Sequence, residues 1–233
     1  MKNPKVAVIG AGCSGITAIK NLLQAGIKDV VCFEKNDQIG GNWVYSAEES
    51  HSSVCETTHI ISSKKLSGYL DFPMPEEYPD YPSHQQVLAY FQSYVQHFGL
   101  EPYIRFNSPV EKCEPLQSGK WSITISGESP QEFDYVMVAN GHHSVPRHPE
   151  WSGDFGGRYL HAHSYKNSRG FEGEKVLVVG AGNSGCDCAV EISRVAEKTC
   201  ISMRSPQYII PKFFMGKPTD EFNVGLNLSL IHI

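Results

Sequence analysis

Two copies of the motif G-x-G-x-x-G constrain the fold of this chain more than any other feature of its sequence. Gly10–Gly15 and Gly180–Gly185 each follow a short apolar run and each open a segment with apolar residues at helical spacing. One match is weak in a chain of 233 residues with 21 glycines, and an ordinary tight strand-to-helix turn is the alternative. Two matches in the same context favour two Rossmann-like dinucleotide-binding units, and therefore an α/β fold.

The first unit is predicted to continue into a helix, a second strand and a small antiparallel sheet. The patterns predict a strand at 6–9, a helix from about Ser14 to Gln24 and a strand at 30–34. Ser83, with Gln86 as capping-box partner, predicts the start of a helix whose apolar face is formed by Val87, Phe91, Tyr94 and Phe98 and which Gly99 ends. Four further strand candidates predict an antiparallel meander that returns to the main sheet, at 103–106, 110–113, 121–125 and 133–139.

The second unit repeats the first at an offset of 170 residues. It is predicted as a strand at 176–179, a helix at 183–196 and a strand at 199–204. Between the units, residues 45–82 have weak periodicity and four prolines, which predicts mostly irregular surface chain. The expected domains are residues 1–150, a linker at 151–172, and an incomplete second nucleotide-binding domain at 173–233.

The charged residues at the ends of the second strands differ between the two units. Glu34 and Arg204 each lie 24 residues after the first glycine of their motif. A carboxylate there accepts hydrogen bonds from a ribose 2′-hydroxyl, whereas a guanidinium suits a 2′-phosphate. The first unit is therefore predicted to hold FAD and the second NADPH, with Ser205 adding a hydroxyl contact. The alternative for Arg204 is a solvated cation at a strand end.

Composition excludes several other classes of protein. The net charge is −5 and the basic residues are scattered, which argues against nucleic-acid binding. Apolar runs of about five residues are far shorter than the roughly 20 needed to span a bilayer, and no signal peptide precedes the first strand. Seven cysteines without a C-x-x-C pair predict free thiols in a reducing, cytoplasmic setting. No metal site is expected, because the candidate ligands lack a suitable set at suitable spacing: Cys186, Cys188, His142, His143 and His163.

Three further segments of the chain contain motifs that are typical of a known protein family. Gly40-Gly41-Asn42-Trp43 follows the first unit, and the stretch Ser63–Pro73 runs on to Tyr81-Pro82-Ser83-His84. Residues 155–165 fit F-x-G-x-x-x-H-x-x-x-Y between the two glycine motifs. Together these segments resemble the flavin-containing monooxygenases over residues 5 to about 225.

The resemblance implies a mechanism and a set of cofactor contacts. NADPH would reduce FAD, and the reduced flavin would react with O₂ to give a C4a-hydroperoxide that passes one oxygen to an amine nitrogen or a sulfur of a small substrate. The class includes N,N-dimethylaniline monooxygenases. The implied cofactor-binding residues are Gly10, Gly12, Ser14, Gly15, Glu34, Lys35, Gly41, Trp43, His84, Val110, Ala139, Gly180, Gly182, Asn183, Ser184, Gly185, Arg204 and Ser205.

Some of these residues also have a structural interpretation. Trp43 is alternatively a core aromatic residue, and His84 is alternatively a surface residue at a helix start. His161 and Tyr165 of the linker motif are as well explained by bracing of the hinge between domains as by cofactor contact.

The sequence departs from the family at identifiable places. Ile61 stands where many members carry an asparagine near the flavin, and its apolar side chain cannot donate a hydrogen bond. Ser62 and Ser63 are the candidates to replace it as catalytic residues. Asn140 replaces the threonine of the family's A-T-G stretch.

The end of the chain also differs from the family. The last residues, Leu228–Ile233, do not resemble it, and the later part of the second domain is missing. We expect a truncated piece of a longer parent, inactive by itself and with sheet edges and an apolar face uncovered.

Three alternative functions use the same motifs. A Baeyer–Villiger monooxygenase usually has tryptophan where this chain has Tyr165. A reductase that uses FAD and NADPH without oxygen transfer, such as a disulfide reductase, needs a redox dithiol that the sequence lacks. A non-catalytic flavin- or nucleotide-binding protein is the third alternative, motivated by Ile61.

Overall fold

A parallel sheet of four strands organises the first part of the computed structural model, which describes residues 3–223. Its strand order is β3-β2-β1-β7, and its strands are β1 (Val6–Ile9), β2 (Val30–Phe33), β3 (Ile104–Arg105) and β7 (Tyr135–Val138). Val6, Ala7 and Val8 are at most 2% exposed. Burial on both faces explains why this central strand is a continuous apolar run in the sequence.

Two long helices lie at the positions that the sequence predicted. The helix α1 (Cys13–Gln24) connects β1 to β2, and Ile16 and Ile19 on its inner face are fully buried. The helix α3 (His84–His97) buries Val87, Phe91 and Tyr94, as predicted. It ends before Gly99, whose φ of +62° is the left-handed conformation of a helix stop.

The predicted meander is confirmed, with two corrections. Its strands are β4 (Val110–Pro115), β5 (Trp121–Ile125) and β6 (Gln131–Phe133). The candidate at 103–106 is not part of it, because Ile104 is buried in the parallel sheet beside Cys32 of β2. The candidate at 133–139 divides at Asp134, which pairs with Lys5 through both its backbone and its carboxylate.

The second glycine motif lies in a smaller parallel arrangement. The strand β8 (Lys175–Val179) pairs in parallel with β9 (Lys198–Ser202), and α4 (Asn183–Ser193) connects them. The helix ends three residues earlier than predicted, and Arg204 lies beyond the end of β9. Leu177 and Val179 of β8 are 63% and 60% exposed.

The stretch 45–82 is irregular, as predicted, but it is not surface chain. Its only regular helix is α2 (Lys64–Ser67). Several of its side chains are buried: Ser52, Val54, Cys55, Ile60, Ser63, Met74 and Tyr81. Cys55 belongs to a core cluster with Tyr165, Phe171, Cys188 and Ile192. Burial without a regular period explains why the sequence pattern did not reveal this packing.

The chain contacts divide the molecule into two compact units. The first comprises residues 1–44 and 88–145, and the second comprises residues 45–87 and 146–233. The second unit also contains a short hairpin. Its two strands are β10 (Phe213–Phe214) and β11 (Lys217–Pro218). The domain limits at residues 150 and 172 stay predictions. Leu228–Ile233, which the sequence set apart from the family, lie outside the described residues.

The cysteines are all free thiols, in keeping with the expectation from the sequence. Cys32 is buried in the first unit, and Cys55 and Cys188 are buried in the second. Burial is the main reason that the pKa of Cys32 and that of Cys188 are raised to about 12. Cys13 and Cys200 are exposed. Within residues 3–223, no helix is long and apolar enough to cross a membrane.

The capping box of α3 gives a direct test of the local fold. The Ser83 backbone N–H donates to Gln86 Oε1 at 3.0 Å, and the Gln86 N–H donates to Ser83 Oγ at 3.4 Å. We expect Ser83→Ala to lower the free energy of unfolding by about 1 kcal/mol, because the first helical turn loses an acceptor. Urea denaturation followed by circular dichroism measures the change.

Ser93→Ala is the matched control, since Ser93 lies exposed in the same helix and bonds only back to the Ala89 carbonyl. It should leave stability unchanged or slightly higher, because alanine is the better helix former. Equal losses in the two variants would contradict the capping role.

Candidate functional site

The first glycine loop is shaped by two positions at which only glycine fits. Gly10 has a φ of +97°, and a Cβ there would lie 2.5 Å from the Ala139 carbonyl oxygen. A Cβ on Gly15 would lie 1.8 Å from the Gly10 carbonyl oxygen. These positions permit the sharp turn and the close packing of α1 on β1.

Gly12 leaves open the side of the loop that a phosphate would approach. A Cβ on Gly12 would meet nothing closer than the Gly41 Cα, at 3.8 Å. Gly12 is the N-cap of α1, no side chain among the described residues caps the helix there, and the first turn contains no acidic residue. The N-terminus of this helix, with the positive end of the helix dipole, can therefore receive an anion.

Glu34 points towards this loop, as the charge argument requires. Its side chain is 4% exposed, and its Oε2 accepts a 2.7 Å hydrogen bond from the Ala11 N–H. Its Oε1 accepts from both the backbone N–H and the side-chain amide of Asn36, each at 2.9 Å. The carboxylate is thus fixed beside the glycine loop. It also helps to raise the pKa of Cys32, whose thiol lies 3.5 Å from the Gly10 carbonyl oxygen.

The Gly40–Trp43 segment lies against the same loop. The Gly40 N–H donates to the Ala11 carbonyl at 3.2 Å, and a Cβ on Gly41 would approach Gly12 Cα to 3.3 Å. Trp43 is half-buried in a short 3₁₀ turn that begins at Gly41. The structure therefore brings Gly41 and Gly12 together, although they lie 29 positions apart in the sequence.

The other predicted residues of the first unit lie around this framework with varied exposure. Ser14 and Lys35 are exposed, and Ala139 is half-buried beside Gly10. Val110 packs against the core cluster that contains Phe33 and Phe133, which gives it a packing role.

The second glycine loop has the same local geometry. Gly180 has a φ of +103°, and a Cβ on Gly185 would lie 2.2 Å from the Gly180 carbonyl oxygen. An added Cβ on Gly182 would have no atom of another residue within 4 Å, apart from its chain neighbours. Asn183 and Ser184 open α4 and are exposed, and no side chain within the described residues caps the helix. This helix end is therefore a second open anion site.

Arg204 and Ser205 follow β9 at the edge where this loop also lies. Both residues are exposed. The Gly180 N–H donates to the Ser202 carbonyl at 2.8 Å, so the glycine loop and the end of β9 are adjacent. A carboxylate thus follows the second strand beside the first glycine loop and a guanidinium follows the second strand beside the second loop. Of these two charged groups, Glu34 is fixed by hydrogen bonds beside its loop, and Arg204 is exposed.

His84 is not the surface residue that one interpretation suggested. It is 2% exposed, and burial lowers the pKa of its imidazole. Its ring lies 5.3 Å from that of Tyr45, centroid to centroid, and its backbone N–H donates to the Thr58 carbonyl. His84 belongs to the second unit, whereas the first glycine loop belongs to the first unit.

The linker motif has a clear structural role. Tyr165 is 2% exposed in the core cluster of the second unit, where burial raises the pKa of its hydroxyl. His161 Nδ1 accepts a 3.1 Å hydrogen bond from the His163 backbone N–H. The packing of Tyr165 and the local bond of His161 support a bracing role for this segment, and its contact with a cofactor stays a prediction. Among the described residues, no group of histidine, cysteine and carboxylate side chains is arranged to hold a metal ion.

The two catalytic candidates have different surroundings. Ser62 Oγ lies 2.7 Å from Ser67 Oγ, so the two hydroxyls share a hydrogen bond across α2. Ser63 is fully buried, and its backbone N–H donates to Asp220 Oδ2 at 2.6 Å. Ile61 beside them is 65% exposed.

Sequence reasoning missed three residues that fix these segments. Asn36 holds Glu34, and its position two residues after the acidic residue is the only signal. Lys166 is buried and donates to the Ser52 carbonyl at 2.7 Å, and burial lowers the pKa of its amine. Asp220 binds Ser63 across 157 positions of sequence, a separation that no local pattern reveals.

Comparisons with known proteins agree on one family. A family model described as flavin-binding monooxygenase-like matches residues 3–227. Flavin-containing monooxygenase 5 of Rattus norvegicus is 40% identical over 223 residues, which are 90% of this chain and 42% of that protein. Flavin-containing monooxygenase 3 of Homo sapiens is 37% identical over 230 residues, which are 93% of this chain and 43% of that protein.

A solved structure supports the same relationship. The S-allyl-L-cysteine S-oxygenase from Allium sativum matches with a TM-score of 0.81 and 26% identity, over 91% of this chain and 54% of that chain. The chain thus spans less than half of the length of the two curated relatives. The matched region contains both glycine loops and the linker motif, which confirms the resemblance drawn from the motifs. The chain belongs to the flavin-binding monooxygenase-like family.

Proposed function

We propose that the full-length protein is a monooxygenase that uses FAD, NADPH and O₂ to oxygenate an amine nitrogen or a sulfur of a small substrate. The observation that carries the proposal is the pair of open glycine loops, one beside a buried carboxylate and one beside an exposed guanidinium. The names of the relatives support it, since they are flavin-containing monooxygenases and an S-oxygenase.

The first loop fits the adenosine and pyrophosphate of FAD. The α1 N–H groups and the space beside Gly12 and Gly41 would receive the pyrophosphate. Glu34, held by Ala11 and Asn36, would accept hydrogen bonds from the ribose and repel a 2′-phosphate. We assign Ser14, Lys35, Trp43, Val110 and Ala139 to the surroundings of this cofactor. His84 stays a predicted cofactor contact.

The second loop fits NADPH. Gly180, Gly182 and Gly185 would shape the pyrophosphate site, with Asn183 and Ser184 at the helix end. Arg204 and Ser205, which are exposed, would bind the 2′-phosphate through charge-assisted hydrogen bonds. When bound, the two cofactors supply the hydride transfer and the activation of O₂. The protein orients them and keeps water away from the reacting atoms.

The remaining assignments follow from the same proposal. Residues 1–150 form the FAD domain, 151–172 the linker and 173–233 the start of the NADPH domain, in a cytoplasmic protein. Ser62, whose hydroxyl bonds to that of Ser67, and the buried Ser63 stay the candidate catalytic residues beside Ile61. Ser62→Ala tests a direct catalytic role for Ser62.

The activity itself is tested by following the fate of oxygen in the full-length holoenzyme. We expect NADPH oxidation in air to yield an N-oxide from a tertiary amine or a sulfoxide from a sulfide, with one atom of ¹⁸O from ¹⁸O₂ in the product by mass spectrometry. NADPH oxidation that yields only hydrogen peroxide would favour a reductase, and an ester from a ketone would favour a Baeyer–Villiger enzyme. A protein that binds both cofactors and oxidises no NADPH would be a non-catalytic binding protein.

The choice of NADPH over NADH is expected to depend on Arg204. Arg204→Ala should raise the Kd for NADPH by about 10- to 100-fold, the value of hydrogen bonds to charged groups, and leave the Kd for NADH unchanged. Titration of protein fluorescence with each nucleotide measures both constants. Arg194→Ala is the control, because Arg194 is an exposed cation of the same unit that pairs with Glu191 at 3.0 Å. Equal weakening of NADPH and NADH in Arg204→Ala would refute the assignment.

The glycines of the second loop should separate binding from stability. Gly182→Ala places a methyl group in open space, so the fold should be retained while NADPH binding is lost. Gly185→Ala brings a methyl group to 2.2 Å from the Gly180 carbonyl, so the variant should unfold at a lower temperature. Thermal unfolding and NADPH titration of both variants check this. Unchanged NADPH affinity in Gly182→Ala would contradict the proposed phosphate site.

A further inference from the structure

Residues 211–222 form a folded segment, here called the strap, that lies on the stretch 62–81 of the same unit. The strap contains the β10–β11 hairpin and is closed on itself, since the Thr219 N–H donates to the Lys212 carbonyl at 2.9 Å. Tyr81 fixes one end: its hydroxyl donates to the Lys212 carbonyl at 2.7 Å, and its ring meets that of Phe213 edge to face. Tyr81 itself is 8% exposed, whereas Phe213 on the strap is 49% exposed.

Asp220 fixes the other end of the strap. Its Oδ2 accepts the 2.6 Å hydrogen bond from the Ser63 N–H, and the neighbouring Glu221 pairs with Lys65 at 3.1 Å. The Lys65 side chain is 70% exposed, so its ion pair contributes little. The hydrogen bond that Asp220 accepts involves a carboxylate and the fully buried Ser63. It is therefore a stronger contact than the ion pair between Lys65 and Glu221.

The turn that Asp220 holds is ordered by several other bonds. The Lys64 N–H donates to the Asp80 carbonyl at 2.7 Å, and Lys64 Nζ donates to the carbonyls of Glu76 and Tyr78. The buried Ser63 N–H differs from these donors, because its acceptor, Asp220, belongs to the strap. Without Asp220 that donor would be left buried without a partner, at a cost that favours opening of the turn.

Along the chain, the strap comes shortly after the proposed nucleotide-binding residues Arg204 and Ser205. Residues 205–210 connect Arg204 to the strap, are exposed and have no regular structure. Fixing one end of such a connection lowers the conformational entropy that remains to be lost when the other end docks. A 2′-phosphate that holds Arg204 and Ser205 would thus favour docking of the strap.

We propose that Asp220 is a positioning residue through which NADPH bound at Arg204 orders the Ser63–Lys65 turn. This inference rests on the proposed function, because it takes the 2′-phosphate to lie at Arg204. By thermodynamic reciprocity, a nucleotide that orders the turn must bind less tightly when the turn cannot be held. NADH lacks the 2′-phosphate and does not engage this coupling.

The test combines hydrogen exchange and nucleotide titration of the full-length protein. Asp220→Ala should speed exchange of the Ser63 amide by about 10- to 100-fold, as expected for the loss of a hydrogen bond to a charged group. NADPH should slow that exchange in the wild type and not in Asp220→Ala. The variant should also weaken NADPH about fivefold, at the lower end of typical coupling, and leave NADH unchanged.

Three further variants keep the test decisive. Asp220→Asn retains an oxygen acceptor and should restore most of the Ser63 protection, and Glu221→Gln, the control on the same strap, should behave as wild type. If Asp220→Ala does not fold, as judged from the amides of β8 and α4, Tyr81→Phe replaces it. Tyr81→Phe loosens the opposite end of the strap and should reduce the NADPH effect on Ser63.

The outcomes separate this inference from the proposed function. If NADPH binds in preference to NADH but does not alter Ser63 exchange, the coupling is refuted and the proposed function stands. Equal weakening of NADPH and NADH by Asp220→Ala would show a purely structural role and also refute the coupling. If the wild type binds no NADPH, the proposed function itself fails.

Discussion

The structure depends on how closely each nucleotide-binding helix approaches the strand before it. At Gly15 and Gly185 an added Cβ would overlap a carbonyl oxygen of the preceding turn, at 1.8 and 2.2 Å. That approach aims the N-terminus of the helix at the edge of the sheet, and the first backbone N–H groups of a helix have no carbonyl partner within the helix. A single steric condition thus creates both the packing of the fold and the anion site. The same condition occurs twice because the chain repeats it 170 residues apart.

The parts of the fold that follow a local rule were predictable from the sequence. The central strand at Val6–Ile9 is an apolar run because it is buried on both faces, and α3 begins at a capping box that the structure reproduces. Glu34 lies by its glycine loop as its spacing predicted. In each case the signal is a run of adjacent residues, a capping pair or a fixed spacing, and such signals can be read directly from the sequence.

The parts that depend on distant contacts were not predictable in the same way. Ile104 has the pattern of a meander strand, but the space beside Cys32 in the parallel sheet decides its place. Residues 45–82 were expected at the surface, whereas Cys55 and Tyr81 are buried without regular structure. The hydrogen bond between Ser63 and Asp220 joins residues 157 positions apart, and the identity of the two residues does not predict it. In an irregular segment the apolar residues do not recur at a regular spacing, so their burial cannot be predicted from the sequence.

The buried thiols give each unit its own chemical reporter of opening. Because burial raises the pKa of Cys32 and of Cys188 to about 12, both stay in the unreactive thiol form at neutral pH, and their burial also shields them from reagents. Cys13 and Cys200, by contrast, are exposed to any alkylating reagent. Slow alkylation of Cys32 would therefore time the opening of the first unit, and that of Cys188 the opening of the second. The natural cysteines make the two halves of the molecule kinetically distinguishable without any added label.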